Sequence, residues 1–201
     1  MLDGAIRPKL DPFLNAAAKT IAATGLTANG VTILGLWIGL AAAAAIWAQL
    51  YWAGLVLLLI SRICDGLDGA VARITGKTDF GGYLDIVLDF AFYGAIPLGF
   101  VLADPSANAI AGAVLIFSFY VNGASFLAFA IMAEKHSLTT DQRGEKSFFF
   151  TTGLAEATET IVVFVLFCLF PAWFSVIAYV FAAVVFYTAV SRIVMTGHVL
   201  S

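Results

Sequence analysis

The chain has 201 residues, of which 62% are apolar and only 11% charged, and its mean hydropathy is +0.99. Soluble domains carry about 25% charge, so a water-soluble fold of this length cannot hide so much apolar surface, and the composition points to a membrane protein. A net charge of -3 without any dense basic patch argues against a nucleic-acid partner. Two cysteines, Cys64 and Cys168, make neither a disulfide framework nor a metal motif and read as buried thiols.

Residues 1–26 place Leu2, Ile6, Leu10, Phe13, Leu14 and Ala17 at spacings of three and four, with Asp3, Arg7, Lys9, Asp11 and Lys19 between them. That pattern predicts an amphipathic juxtamembrane helix lying along the membrane surface. The start lacks the basic-then-apolar plan of a cleaved signal peptide, so none is expected. A membrane-crossing helix needs about 20 mostly apolar residues. Six stretches meet or approach that length, at 29–49, 52–74, 80–103, 107–133, 148–170 and 172–197.

The first span follows Thr27-Ala28-Asn29-Gly30-Val31-Thr32, in which Asn29 reads as a helix cap. The second carries Arg62, Asp65 and Asp68 and ends at the polar turn Gly76-Lys77-Thr78-Asp79. The third carries Asp85 and Asp89 and ends at Asp104-Pro105-Ser106. The longest polar run, Lys135 to Lys146, follows the fourth. The fifth contains Glu156 and Glu159, roughly 12–16 Å below Phe148 if the helix is continuous. Pro171 opens the sixth, where proline is tolerated.

Basic residues sit in the N-terminal segment, in the second and fourth connections and near the end of the sixth span; the first, third and fifth connections have no Lys or Arg. This asymmetry places both termini on the cytoplasmic side. With no internal repeat and no linker, the expectation is one all-α membrane domain over 1–201: a juxtamembrane segment, 1–26, and a six-helix bundle, 27–199.

Carboxylates inside a membrane are costly and usually face a protein or water-filled interior. Asp65 and Asp68, three apart, share one helix face, as do Asp85 and Asp89, four apart. The short turn makes the two helices antiparallel neighbours, so all four acids lie within roughly 5–15 Å of the cytoplasmic ends. Four such groups repel one another unless a cation joins them, and an all-oxygen set favours magnesium, manganese or calcium over zinc.

The run Asp65-Gly66-Leu67-Asp68-Gly69-Ala70-Val71-Ala72-Arg73, followed by Gly81, Asp85 and Asp89, resembles the signature of the CDP-alcohol phosphotransferase family, D-x2-D-G-x2-A-R-x7-8-G-x3-D-x3-D, at every fixed position. The six-span plan after a surface segment also resembles the family. The resemblance implies that Asp65, Asp68 and Asp85 hold one or two magnesium or manganese ions against the pyrophosphate of a CDP-linked donor. It implies that Asp89 is the general base, in reach of the metal. Gly69 and Ala72 are implied to leave room for the cytidine nucleotide, Arg73 to contact phosphate, and Gly81 to let the third span start close to the nucleotide. On spacing alone, Gly69 and Gly81 read equally as helix-packing glycines. Thr27 to Thr32 is similar to the family's Pro-Asn-x-x-Thr motif, with Ala28 in place of proline, which implies Asn29 near the nucleotide.

The run around Glu156 and Glu159 is similar to one in a group of small bacterial inner-membrane members of the family. One glutamate is expected to line the acceptor pocket and the other to pair with Arg62, which reaches a similar depth; a structural ion pair is the alternative. Family members that take a phosphorylated acceptor grip it with basic residues, which implies such a role for Arg143 and Lys146, although topology also accounts for them.

The resulting expectation is a metal-dependent enzyme of the inner membrane that transfers a phosphatidyl group from CDP-diacylglycerol to a small polar alcohol. The resemblance also implies a homodimer. A soluble CDP-alcohol donor with diacylglycerol as acceptor is the alternative within the family. A small cation transporter is the competing class, but it predicts acids spread through the membrane depth rather than gathered at one end. A scaffold leaves the four aspartates unexplained.

Overall fold

A computed structural model describes residues 3–135 and 155–200, and side chains over 11–135 and 155–198. These residues form α1 (Asp3–Ala23), α2 (Ala28–Trp47), α3 (Tyr51–Thr75), α4 (Asp79–Ala103), α5 (Pro105–Lys135), α6 (Ala157–Leu169), a 3-10 turn (Pro171–Trp173) and α7 (Phe174–Leu200), with no strand among them.

The helix boundaries follow local chemistry. Thr27 caps α2 by accepting from the Gly30 amide at 3.2 Å, and Thr78 caps α4 by accepting from the Gly81 amide at 3.0 Å. Gly76 ends α3 at φ 105, a left-handed conformation that a side chain would oppose. Asp104 starts α5, accepting from the Ser106 hydroxyl at 2.7 Å and the Ala107 amide at 3.1 Å. Those two donors hold its exposed carboxyl below the usual carboxylate range.

α2 packs on both α3 and α4, α5 packs on α7 and on α4, and α1 lies against α3. Small residues set the close approaches. A Cβ on Gly35 would lie 3.1 Å from the Cys64 Cβ, and one on Gly99 would lie 2.7 Å from the Ala43 carbonyl oxygen. Ser61 Oγ donates to the Gly35 carbonyl at 2.8 Å, tying α3 to α2. The core is aromatic: Phe92, Phe100, Phe164, Phe167 and Phe174 are fully buried, with Phe174 4.9 Å from Phe100 and 4.7 Å from Phe167 between ring centroids. α1 attaches through Ala18, which is buried with Ala70 and Val71 of α3.

Among the described residues, four helical segments rather than six are long and apolar enough to cross a membrane: Ala28–Trp47, Asp79–Ala103, Pro105–Lys135 and Pro171–His198. α3 has the length, but Arg62, Asp65, Asp68 and Arg73 break its apolar run. α6 has only 13 residues, because helix begins at Ala157 and not at 148; residues 136–154 lie outside the described part. Large apolar side chains such as Trp37, Ile110, Phe117 and Val180 are exposed along the long helices, the pattern of a protein whose outer surface meets lipid. The membrane character and the all-helical class stand as expected. Cys168 is buried, whereas Cys64 is only half-buried; both are free thiols.

Candidate metal centre

The helix spacing of the four aspartates brings them to one pocket, where α2 meets α3 and α4. Its walls are Thr32, Gly35 and Leu36 from α2, Arg62, Asp65 and Asp68 from α3, and Asp85, Leu88 and Asp89 from α4. Asp65, Asp68 and Asp85 each offer one carboxylate oxygen, and these oxygens all lie within 4.8 Å of one another. Asp68 is 6% exposed, and its buried Oδ2 has no hydrogen-bond partner. A buried carboxylate oxygen without a donor is unfavourable on its own. A hard divalent cation satisfies it, and three convergent oxygens with no nitrogen or sulfur among them suit magnesium or manganese. The residues present therefore fit such an ion.

Asp89 lines the same pocket but stands outside that group of three. Its Oδ1 accepts from Arg62 Nη1 at 2.8 Å, and the same nitrogen lies 3.4 Å from Asp65 Oδ1. This corrects the expected pairing of Arg62 with a glutamate of the fifth span. Arg62 and Asp89 lie at comparable distances from the Gly76–Thr78 turn on antiparallel helices, so the carboxylate is the nearer partner. Glu156 does not sit in mid-helix: it is the residue before α6, in extended conformation, and Glu159 falls in the first turn. A carboxylate there meets the positive end of the helix dipole.

Asn29 is not the cap of α2, since Thr27 takes that role; Asn29 instead lies within the first turn. A Cβ on Gly81 would come within 3.0 Å of Asn29 Oδ1 and 2.9 Å of Thr78 Oγ1, so this glycine lets the start of α4 approach the start of α2. Gly69 has open space around it, with Arg73 Nη1 the nearest atom at 3.8 Å, and Ala72 is half-buried beside it. Arg73 reaches towards α1, donating to Asn15 Oδ1 at 3.2 Å with Asp11 Oδ1 at 4.0 Å. None of Asn29, Gly69, Ala72, Arg73 and Gly81 lines the aspartate pocket itself. Arg143 and Lys146 lie outside the described residues.

Two features were missed in the sequence. Thr32, named in the sequence only as the end of the Pro-Asn-x-x-Thr-like run, forms the α2 wall of the pocket with Gly35 and Leu36, and a small residue facing the acids at equal depth was the only signal for Gly35. Arg192 of α7 donates through Nη1 to the Asn122 carbonyl at 3.0 Å, Asn122 Oδ1 at 2.9 Å and Ser125 Oγ at 2.8 Å, all on α5. An asparagine well inside an apolar span was the available clue.

Residues 25–191 match the family described as CDP-alcohol phosphatidyltransferase. The inner membrane protein YnjF of Escherichia coli (strain K12) is 46% identical over 193 residues, covering 96% of this chain and 94% of that one. An archaetidylinositol phosphate synthase of Methanothermobacter thermautotrophicus is 27% identical over 94% of this chain and 90% of its own. The fold is similar to that of the Mycobacterium tuberculosis phosphatidylinositol phosphate synthase PgsA1. With CDP-DAG bound, that structure gives a TM-score of 0.73 at 24% identity, covering 91% of this chain and 92% of that one. With manganese and citrate, the TM-score is 0.73 at 23% identity, covering 91% and 88%. The signature acids, the family match over most of the chain and the full-length relative agree: this chain belongs to the CDP-alcohol phosphatidyltransferase family and is a membrane enzyme of that class.

Proposed function

We propose that the protein transfers a phosphatidyl group from CDP-diacylglycerol to the hydroxyl of a small polar alcohol, releasing CMP, at a divalent-ion centre on Asp65, Asp68 and Asp85. The observation that carries this reading is the convergence of those three carboxylates around the unpartnered, buried Asp68 Oδ2. A bound magnesium or manganese ion supplies positive charge to the pyrophosphate oxygens, the main requirement of phosphoryl-type transfer. Support for the donor comes from PgsA1, solved with CDP-DAG.

In this reading Asp89 is the general base. Arg62 engages its Oδ1, which leaves Oδ2 to take the acceptor's hydroxyl proton. The acceptor oxygen bonds to the phosphorus that bears the diacylglycerol, the bond from that phosphorus to the CMP oxygen breaks, and CMP leaves. The open space at Gly69 and the close approach at Gly81 and Asn29 support a nucleotide lying over the α3–α4 turn, with Ala72 and Arg73 beside it. Relatives named for inositol phosphate products make phosphorylated polyols the first acceptors to try, with Arg143, Lys146, Glu156, Glu159 and Arg62 as the candidate acceptor-side residues.

The reading includes six membrane crossings, with α3 and α6 completing the four apolar spans, an inner-membrane location and cytoplasmic termini. It also includes a homodimer. A transporter is disfavoured because the aspartates gather in one pocket instead of forming a path.

The test is CMP release by purified protein from CDP-diacylglycerol, with magnesium or manganese and a panel of polar alcohols, read together with the mass of the lipid product. A new phospholipid dependent on the divalent ion supports the assignment. Turnover of a soluble CDP-alcohol with diacylglycerol, and none with CDP-diacylglycerol, reverses the donor and acceptor roles.

A further inference from the structure

α1 lies outside residues 25–191, the part matched to the family, yet one of its side chains reaches an arginine of the family signature. On α3, Gly66, Ala70 and Arg73 follow one another at spacings of four and three, so they share one face, the face that meets α1. The first two are small and let α1 come close. A Cβ on Gly66 would lie 3.1 Å from Leu14 Cδ1, and Ala18 is buried with Ala70. The third is long and charged. Arg73 Nη2 donates to Asn15 Oδ1 at 3.2 Å, and Asp11 Oδ1, one turn earlier on α1, lies 4.0 Å from the same nitrogen.

The other terminal nitrogen points to a different place. Nη1 lies 3.8 Å from where a Cβ on Gly69 would stand, and no other atom comes within 4 Å of that position. Gly69 directly follows Asp68, one of the three convergent acids, so this open face adjoins the metal pocket. A guanidinium is planar and its terminal nitrogens form a rigid fork, so anchoring one of them sets the direction of the other. The Arg73 side chain is 39% exposed. Left to itself, such a side chain samples many rotamers and gives them up when it grips a phosphate; an anchor removes part of that loss in advance. Asn15 anchors with a neutral oxygen, which leaves the positive charge undiminished for an anion.

We propose that Asn15 is a positioning residue for the donor nucleotide: from α1 it holds the Arg73 guanidinium at the edge of the open face of Gly69, where Nη1 meets a diphosphate oxygen. The proposal rests on the reading of Gly69 and Arg73 as the nucleotide side of the site, and it adds to that reading a residue and a helix beyond the family signature.

The test is titration of CDP into the full-length protein in detergent with manganese, by calorimetry, for the wild type, Asn15→Ala, Arg73→Ala and the double variant. Asn15→Ala is expected to weaken CDP binding by about threefold to tenfold, the scale of one hydrogen bond. Its thermal midpoint without nucleotide should stay close to that of the wild type, because Asn15 is exposed. Arg73→Ala is expected to weaken binding further, and adding Asn15→Ala to it should change nothing more, since the group that Asn15 holds is gone.

An unchanged CDP affinity in Asn15→Ala overturns the proposal, as does a loss of equal size in the Arg73→Ala background, which would mean that Asn15 acts without Arg73. Arg73→Ala binding CDP as tightly as the wild type also overturns it, while leaving the nucleotide site in place. A wild type that binds no CDP overturns the nucleotide-side reading itself. Should Arg73→Ala bind too weakly to titrate, Arg73→Lys replaces it as the background, because a lysine cannot span two partners with a rigid fork.

Discussion

Two arginines in different helix pairs take different hydrogen-bond partners. Arg62, between α3 and α4, meets the carboxylates of Asp89 and Asp65. Arg192, between α7 and α5, donates to neutral oxygens of Asn122 and Ser125, with the Glu156 carboxylate close enough to act on its charge. The first arrangement partly cancels charge inside a cluster that still has to attract a cation. The second hydrogen-bonds a cation to neutral oxygens on a neighbouring helix and ties two long helices together. An arginine within an apolar bundle is therefore not informative by itself; the groups it hydrogen-bonds say more.

Substitutions at the two centres should behave accordingly. Asp68→Asn has the largest expected effect, because it removes the buried oxygen the ion requires: CMP release should fall by about ten-thousandfold, several kcal/mol of transition-state stabilisation, with manganese binding lost in parallel. Asp89→Asn should lower kcat by about a hundredfold to a thousandfold, the range of a lost general base, while the protein still binds manganese. A rate within a factor of a few of the wild type would remove Asp89 from the mechanism.

Arg192→Gln tests the architectural side. It should cost about 1–3 kcal/mol of stability, seen as a lower thermal midpoint in detergent, because partners on α5 lose a charged donor. Its effect on the chemical step should be small beside that of Asp89→Asn, and equal damage to catalysis would erase the distinction between the two arginines.

Asp104→Ala should give the smallest shift. The folded carboxyl of Asp104 is held below its ordinary range by Ser106 and Ala107, so it stabilises the fold above that range and the contribution is lost as pH falls through the folded value. The difference in thermal midpoint between wild type and Asp104→Ala should therefore be present at neutral pH and vanish in acid.

The aspartates were legible because spacing on a helix dictates a shared face, and a short polar turn keeps two helices close in space; α3 and α4 meet at the pocket by both packing on α2 rather than chiefly on each other. The partner of Arg62 was not read correctly, because depth alone does not choose between α4 and α6, and Asp89 of α4 is the carboxylate its guanidinium reaches. Thr27 and Asn29 are both competent caps, and only the helix start tells which one accepts the Gly30 amide. The glutamates were placed in mid-helix because residues 148–170 are apolar enough to read as one span; among the described residues the helix starts at Ala157, so Glu156 and Glu159 sit at a helix start. Hydropathy likewise overstated α3, whose length is that of a crossing helix but whose charges serve the pocket.

The most direct test of the account is CMP release from CDP-diacylglycerol by the purified wild-type protein, followed as magnesium or manganese is removed with chelator and restored. Activity that disappears with the ion, returns with it, and is missing in Asp68→Asn at every ion concentration is the predicted result. Turnover that persists in chelator, or an Asp68→Asn protein as active as the wild type, would contradict a catalytic centre built on the three convergent aspartates.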